Sequence, residues 1–152
     1  MAFGPVKIHA AVGVIACLYV AGVNADCIDN AAAFHHVNAS LVRAIAVQES
    51  GMNPTRVGRN RNGTRDIGLM QINSAWLPKL AQYGVSEANL FDACTNAYVG
   101  TWILAQNIAK LGNSWEAVGA YNAVTPGKRV AYVQKVYSRL LAIDPATAAQ
   151  AR

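Results

Sequence analysis

Residues 39–51 read ASLVRAIAVQESG, and this is the stretch of sequence that decides the fold. Asn38 and Ser40 are residue types that cap helix N-termini, and Leu41 to Gln48 is dense in good helix formers. Gly51 follows at the position where helices commonly end in a left-handed glycine. The stretch therefore predicts one well-defined helix that ends just after a glutamate.

That glutamate, Glu49, continues the apolar stripe of the predicted helix. Leu41, Ile45 and Glu49 are successive i+4 neighbours, so they share one helix face, which should meet the core. Burial raises the pKa of a carboxyl group, and the negative end of the helix dipole acts in the same direction. Glu49 is thus a candidate general acid, and a solvated surface glutamate is the alternative.

The remaining sequence predicts a mainly α domain with a small β-hairpin. Cap residues and apolar spacing predict helices over Asp26–His36, Cys94–Leu111, Ser114–Ala120 and from Thr125-Pro126 to Asp144-Pro145, followed by a frayed tail. The core stripe of the last long helix is predicted to be Val130, Val133, Tyr137, Leu140 and Leu141. Asn62-Gly63 is a tight-turn signal before the apolar run Ile67–Ile72, and together they predict the hairpin.

The N-terminus has the features of a secretory signal peptide. One cation in residues 1–7 precedes an apolar stretch, Ile8–Val23, and Val23-Asn24-Ala25 is a small-residue cleavage pattern. We therefore expect residues 1–25 to be removed, residues 26–152 to form the catalytic domain, and the product to be periplasmic or secreted without stable membrane insertion. A membrane anchor and a lipoprotein modified at Cys17 are the alternatives.

Removal of that segment would leave two of the three cysteines, Cys27 and Cys94. Two cysteines in an exported domain are most simply explained by one disulfide, and they lack the further ligands of a structural zinc site. The sequence contains no nucleotide-binding loop, metalloprotease motif or G-x-S-x-G motif. We therefore expect neither a metal nor a cofactor.

Three motifs occur in a recognisable order along the chain: Glu49-Ser50-Gly51, Gly68-Leu69-Met70-Gln71-Ile72-Asn73 and Ala120-Tyr121-Asn122. In this order they resemble the soluble lytic transglycosylase family, which has a lysozyme-like fold. The resemblance extends from about Cys27 to Tyr137. The small size resembles the family members associated with secretion, conjugation or pilus systems, whose components are possible partners by analogy.

The resemblance implies an enzyme that cleaves the β-1,4 bond between N-acetylmuramic acid and N-acetylglucosamine in peptidoglycan and forms a 1,6-anhydro product. It assigns the acid/base role to Glu49. It also implies substrate contacts or cleft-shaping roles for seven further residues: Ser50, Gly68, Met70, Gln71, Tyr121, Asn122 and Tyr132.

Asp66 leaves a second interpretation open. The run Asn62–Ser74 also resembles animal c-type lysozymes, whose second carboxylate falls where Asp66 lies. A hydrolase that uses Glu49 and Asp66 is therefore the alternative enzyme, and a turn residue is the plain structural explanation of Asp66. A catalytically silent glycan-binding component of a secretion machine is the alternative that is not an enzyme.

The formal net charge is +5, and four arginines crowd one predicted loop: Arg56, Arg59, Arg61 and Arg65. A basic cleft rim would attract peptidoglycan, which carries carboxylates, but a solvated basic loop explains the same cluster. Nucleic acid is not an expected partner, because no recognition motif is present and export argues against it.

Overall fold

A computed structural model of the protein describes residues 22–123 and 125–150. Within these ranges the chain is mainly helical, with one small antiparallel sheet. The helices are α1 (Gly22–Phe34), α2 (Ala39–Ser50), α3 (Leu77–Leu80), α4 (Ala93–Leu111), α5 (Trp115–Asn122), α6 (Pro126–Ile143) and α7 (Pro145–Gln150). The strands are β1 (Val57–Arg59), β2 (Arg65–Ile67) and β3 (Ile72–Asn73). The predicted fold class is confirmed.

Helix ends follow the local signals in the sequence. The Asn38 side chain accepts a hydrogen bond from the backbone N–H of Leu41 at 3.0 Å, and Gly51 ends α2 in the left-handed region, with φ 66°. Asp92 and Ser114 cap α4 and α5 in the same way. The helix that carries Glu49 is thus fixed at both ends.

The sheet is larger than the predicted hairpin, and the apolar run Ile67–Ile72 is not a strand. Gly63, with φ 83°, lies in the turn that joins β1 and β2, as Asn62-Gly63 predicts. Ile67 is the last residue of β2 and Ile72 is the first residue of β3. The two strands are antiparallel neighbours, and Ile67 pairs with Ile72. The chain reverses between them because Gly68 and Gln71 both have positive φ.

The core lies where the long helices meet. α2 packs against α6, and α1 packs against α4. A disulfide joins Cys27 of α1 to Cys94 of α4, with the Cα atoms 4.9 Å apart and a sequence separation of 67 residues. Closing a loop of this length stabilises the fold by about 4 kcal/mol in the chain-entropy model.

The core stripe of α6 differs from the predicted one. Its buried residues are Tyr132, Val136 and Leu140, whereas Val130 is 58% exposed and Leu141 is 38% exposed. Of the predicted stripe, Leu140 is fully buried, and Val133 and Tyr137 are only partly buried against the core. The face of α6 that meets the core is therefore not the predicted one, and it includes the Tyr132 side chain.

Both ends of the described chain also depart from expectation. The first helix begins at Gly22 rather than Asp26 and ends at Phe34, before His36 adopts a φ of 55°. The tail predicted to be frayed forms α7, which packs against α6. Asp144 caps this last helix, because its Oδ1 accepts a hydrogen bond from the Thr147 backbone N–H at 3.0 Å. Its Oδ2 also accepts from Thr147 Oγ1 at 2.6 Å and from Ser40 Oγ at 2.9 Å.

The predicted signal segment lies mostly outside the described residues, which begin at residue 22. In the part of the chain that is described, no helix has both the length and the apolar character that a membrane span requires.

Candidate active site

Glu49 occupies the last turn of α2 and lines a cleft of about 630 Å³. Ile45, one turn earlier on the same face, is fully buried, and Glu49 is partly buried. The helix face predicted from the sequence therefore contacts the core at Ile45 and the cleft at Glu49. Leu41, at its other end, packs against the edge of the core.

A tyrosine from α6 contacts the Glu49 carboxyl group directly. The Tyr132 hydroxyl donates a hydrogen bond to Oε1 of Glu49 at 2.5 Å, and the tyrosine side chain is only 6% exposed. The contact joins two helices that pack against each other. It fixes one carboxyl oxygen of Glu49.

The environment raises the pKa of Glu49 to about 7. Desolvation is the main cause, and the nearby negative charge of Asp66 adds to it. The hydrogen bond from Tyr132 and the positive charge of Arg56 act in the opposite direction, because both favour the ionised form. At neutral pH the carboxyl group is therefore present in both protonation states, which suits a group that must donate a proton and then accept one.

Asp66 lines the same cleft from the sheet side. It lies on β2, opposite Gly58 of β1 and Asn73 of β3. The Asn73 side-chain amide donates to Oδ1 at 2.7 Å, and the Asn60 amide donates to Oδ2 at 2.9 Å. Both carboxylate oxygens thus have a donor, and Asp66 is held in one orientation across the cleft from Glu49.

Part of the turn at residues 68–71 packs against the protein interior and does not line the cleft. Gly68 has φ 78°, and a Cβ at this position would collide with the Asn96 side chain and the Leu90 carbonyl oxygen. The sequence suggests that Gly68 lets backbone approach a ligand, but here it lets the turn pack on α4. Met70 is fully buried in the core and does not line the cleft.

Gln71 does line the cleft, although its amide is directed back onto the turn. Its Nε2 donates to the Gly68 carbonyl at 2.9 Å and to the Arg56 carbonyl at 3.1 Å. Since the residue also has a φ of 50°, it maintains the tight reversal before β3.

Ser50 is buried and ties the end of α2 to this turn. Its hydroxyl donates to the Leu69 carbonyl oxygen at 2.6 Å and accepts from the Asn53 backbone N–H at 3.0 Å. The serine beside the catalytic candidate is therefore a positioning residue that does not line the cleft.

The C-terminal end of α5 also contributes to the cleft lining. Tyr121 and Asn122 both line the cleft, and the Tyr121 hydroxyl donates to the Met70 carbonyl oxygen at 2.9 Å. Burial, together with the charges of Glu49 and Asp66, raises the pKa of Tyr121 well above its ordinary value, so it remains a neutral donor. The three sequence motifs thus converge on one cavity, although they are distant along the chain.

Sequence reasoning missed several residues of the site. Asn60 and Trp76 line the cleft. Asn96 makes three hydrogen bonds behind it, one each with the backbone of Ile67, Met70 and Leu90. Trp76 could have been found as a large aromatic residue just after the Gln71-Ile72-Asn73 motif. Asn60 and Asn96 carry no local signal, because their partners are recognisable only in the folded chain.

Of the four arginines in the loop region, Arg61 lies in the cleft wall. Arg65 forms an ion pair with Glu87 at 2.6 Å, so its charge is largely compensated. Arg56 and Arg59 are exposed. A basic cleft rim and a solvated basic loop are the two interpretations of this cluster, and one of its four arginines, Arg61, lines the cleft. In the ranges 22–123 and 125–150, no three metal-ligating side chains lie close enough to hold an ion.

Comparison with known proteins shows the family to which the chain belongs. The transglycosylase SLT domain family matches residues 26–139. The chain belongs to this family. Membership confirms the family and the class of glycosidic-bond-cleaving enzyme that the three motifs indicate.

Two of its relatives are bacterial proteins of similar size. Invasion protein IagB of Salmonella typhimurium (strain SL1344) is 45% identical over 116 residues, which cover 76% of this chain and 72% of the relative. Protein IpgF of Shigella flexneri is 40% identical over 124 residues, covering 78% of this chain and 82% of the relative.

A solved structure shares the fold. It is the X-ray structure of an inactive mutant of lytic transglycosylase Slt from Pseudomonas aeruginosa, with a TM-score of 0.65 and 21% identity. The match covers 80% of this chain but only 24% of that one, so the protein corresponds to about a quarter of the larger enzyme.

Proposed function

We propose that the protein is a peptidoglycan lytic transglycosylase in which Glu49 acts first as the acid and then as the base. The observation that carries this proposal is the state of Glu49. Its side chain lines a cleft, and its carboxyl group is hydrogen-bonded to Tyr132 and has a pKa of about 7. A surface glutamate would be ionised at neutral pH and could not donate a proton.

In the first step Glu49 protonates the oxygen that bridges C1 of N-acetylmuramic acid and C4 of N-acetylglucosamine. The bond from C1 to that oxygen breaks, the N-acetylglucosamine side leaves as an alcohol, and positive charge develops on the muramyl ring. Glu49 becomes a carboxylate, and the hydroxyl of Tyr132, 2.5 Å from Oε1, stabilises the new negative charge.

In the second step the C6 hydroxyl oxygen of the same muramyl residue forms a bond to C1, and its proton passes to Glu49. This regenerates the acid and closes the 1,6-anhydro ring. Because the nucleophile is part of the substrate, no water needs to be activated. Asp66 faces the same cleft and would stabilise the transient positive charge on the sugar.

The second candidate is hydrolysis of the same bond by a lysozyme-type mechanism. The observation that favours it is the orientation of Asp66, which the amides of Asn60 and Asn73 hold on the opposite wall from α2. A carboxylate held in this way could act as a nucleophile or stabilise the cation while water completes the reaction. The two mechanisms differ in whether Asp66 is essential and in the end group of the product.

We further propose that the protein is exported after cleavage following Ala25 and opens the wall locally for an envelope-spanning machine. The relationship to an invasion protein of Salmonella supports this role. The matched region begins at residue 26, which is consistent with a catalytic domain that starts there.

Wall lysis by Glu49→Gln tests whether the site is catalytic at all. The amide keeps the shape of the side chain but cannot donate the proton, so we expect clearing of purified cell walls to fall by about two to four orders of magnitude. Glu116→Gln, on the exposed surface of α5, is the matched control and should retain activity. Binding of walls without clearing by the unmutated protein would instead favour a silent glycan-binding component.

A further inference from the structure

An aromatic surface continues the cleft beyond the proposed catalytic residues. Trp76 lines the cleft, and its ring meets Trp102 of α4 edge to face, with centroids 5.5 Å apart and an interplanar angle of 69°. Trp102 in turn meets Tyr83 at 6.5 Å, and Tyr83 is 68% exposed. The rings therefore form a connected surface that leads from the cleft towards solvent.

A lysine lies over the middle of this surface. Lys79 Nζ is 4.8 Å from the ring centroid of Trp102 and 5.6 Å from that of Trp76, which is the range of cation–π contacts. Its side-chain hydrogen bond to Gln106 Oε1 is long, at 3.5 Å. No carboxylate among the described residues lies within ion-pair distance of it.

Packing alone does not require this arrangement. Lys79 is exposed and Trp76 and Trp102 are only partly buried, so the three residues do not fill the interior of the fold. Tryptophan rings bind the apolar faces of sugars, and an ammonium group binds anions. A neutral glycan would need only the rings, whereas a glycan that carries carboxylates would also use the lysine.

We propose that Trp76, Lys79 and Trp102 form a glycan subsite that binds a muramyl residue and pairs its carboxylate with Lys79. This inference rests on the proposed function, because it assumes that the cleft binds peptidoglycan strands. The carboxylate belongs either to the lactyl group of a muramyl residue without peptide or to its stem peptide. The subsite would favour muramyl strands over neutral N-acetylglucosamine polymers.

The experiment measures binding of three defined ligands to protein carrying Glu49→Gln, which prevents cleavage. The ligands are a chito-oligosaccharide, a peptide-free muramyl oligosaccharide and the same oligosaccharide with stem peptides. Lys79→Met should weaken binding of the carboxylate ligands roughly two- to five-fold, as expected for an exposed ion pair, and leave chito-oligosaccharide binding unchanged. Lys79→Arg should retain most of the affinity.

Further variants separate the lysine from the rings. Trp102→Ala should weaken all three ligands, on the order of tenfold, because it removes apolar contact area. Lys110→Met, which removes an exposed lysine near the end of α4, is the matched control and should change no affinity. Thermal unfolding of each variant checks that the fold is kept.

A loss with the peptide-free ligand alone identifies the lactyl carboxylate as the partner, and a loss with the stem-bearing ligand alone identifies the stem peptide. A loss with both shows that Lys79 pairs with either carboxylate, because the lactyl group of the stem-bearing ligand is already bonded to the peptide. For Lys79→Met, equal losses of affinity for charged and neutral ligands, or no loss at all, would overturn the subsite. So would the absence of measurable binding of the muramyl ligands to the protein that carries Glu49→Gln alone. If walls are cleaved by the unmutated enzyme in any of these cases, the proposed function stands without this inference. If walls are not cleaved, the proposed function itself fails.

Discussion

The Tyr132 hydroxyl donates a hydrogen bond to Oε1 of Glu49 across 2.5 Å, although the two residues are 83 positions apart in sequence. The bond stabilises the ionised form of Glu49 and so opposes the rise in pKa caused by desolvation. The pKa of about 7 is the balance of these effects. Tyr132 thus lowers the pH at which the proposed acid begins to ionise, relative to a site with desolvation alone.

Tyr132→Phe should therefore raise the pKa of Glu49 further. A hydrogen bond to a charged group contributes about 1.5–3 kcal/mol, which corresponds to roughly one to two pH units. We expect the alkaline limb of the kcat/KM profile, where the acid is lost, to move upward by that amount while maximal activity falls. Tyr98→Phe, on the face of α4 towards α1, is the control. An unshifted limb in Tyr132→Phe would show that the hydroxyl does not act on Glu49.

The raised pKa of Glu49 also makes a prediction about stability. The folded protein holds this proton up to about pH 7, whereas an unfolded chain releases it near the ordinary glutamate pKa of 4.5. The contribution of Glu49 to stability is therefore full below about pH 4.5 and decreases as the pH rises to about 7. Glu49→Gln removes this loss and should be more stable than the unmutated protein at pH 8, by about 1–3 kcal/mol.

Urea unfolding at pH 4 and pH 8 measures this effect. The stability difference between Glu49→Gln and the unmutated protein should be larger at pH 8 than at pH 4. The reason is that a glutamate at position 49 ionises between these two pH values, whereas a glutamine does not. A difference that is the same at both pH values would mean that Glu49 has an ordinary pKa and is not a suitable acid.

Asn96 connects α4 to the turn behind the cleft. Its Nδ2 donates to the carbonyl oxygens of Ile67 and Leu90, and its Oδ1 accepts from the backbone N–H of Met70 at 2.8 Å. Asn96→Leu keeps the branched shape and the number of side-chain heavy atoms, with somewhat larger methyl groups, but removes all three hydrogen bonds to buried backbone groups. We expect it to lower the free energy of unfolding by about 3–5 kcal/mol and to reduce wall lysis.

Asn107 offers a matched control on the same helix. Its Nδ2 is buried and has no hydrogen-bond partner among the described residues, so Asn107→Leu should be nearly neutral or slightly stabilising. Equal destabilisation by the two substitutions in urea unfolding would show that Asn96 acts through its volume and not through its hydrogen bonds.

The sequence was most informative where structure depends on neighbouring residues. Asn38, Gly51 and Ser114 act within one helical turn, and the helices they limit lie where the sequence predicts them. Glu49 could be found because a helical stripe is also a local pattern. For Met70 and Gly68, a motif indicates that the positions matter but not that they act through packing on α4.

Prediction failed where tertiary contacts decide the conformation. The run Ile67–Ile72 has strand-forming composition, but Gly68 and Gln71 take positive φ because the turn packs against Asn96 and Leu90. The stripe of α6 was misassigned because Val130 is apolar yet exposed. Asn60 could not be identified either, since its role depends on the pairing of β1 with β2.

Export makes a prediction about the N-terminus of the mature protein. We expect signal cleavage after Ala25, because Val23-Asn24-Ala25 is the small-residue pattern at the end of the apolar segment. Intact-mass analysis of protein recovered from the periplasm or medium should give a chain that begins at Asp26 and contains the Cys27–Cys94 disulfide. A diacylglycerol adduct on Cys17 would contradict this and make the protein a lipoprotein.

The most direct test of the central claim is the mass of the muropeptides released from purified peptidoglycan, measured for the unmutated enzyme and for Asp66→Asn. If Glu49 acts as both acid and base, the products end in 1,6-anhydro-N-acetylmuramic acid and are lighter by one water than hydrolytic products. Asp66→Asn should then keep the same products at a rate reduced by about tenfold or less, because only electrostatic support is lost. Reducing-end muropeptides as the main product, together with an Asp66→Asn enzyme as inactive as Glu49→Gln, would contradict the claim and identify a lysozyme-type hydrolase.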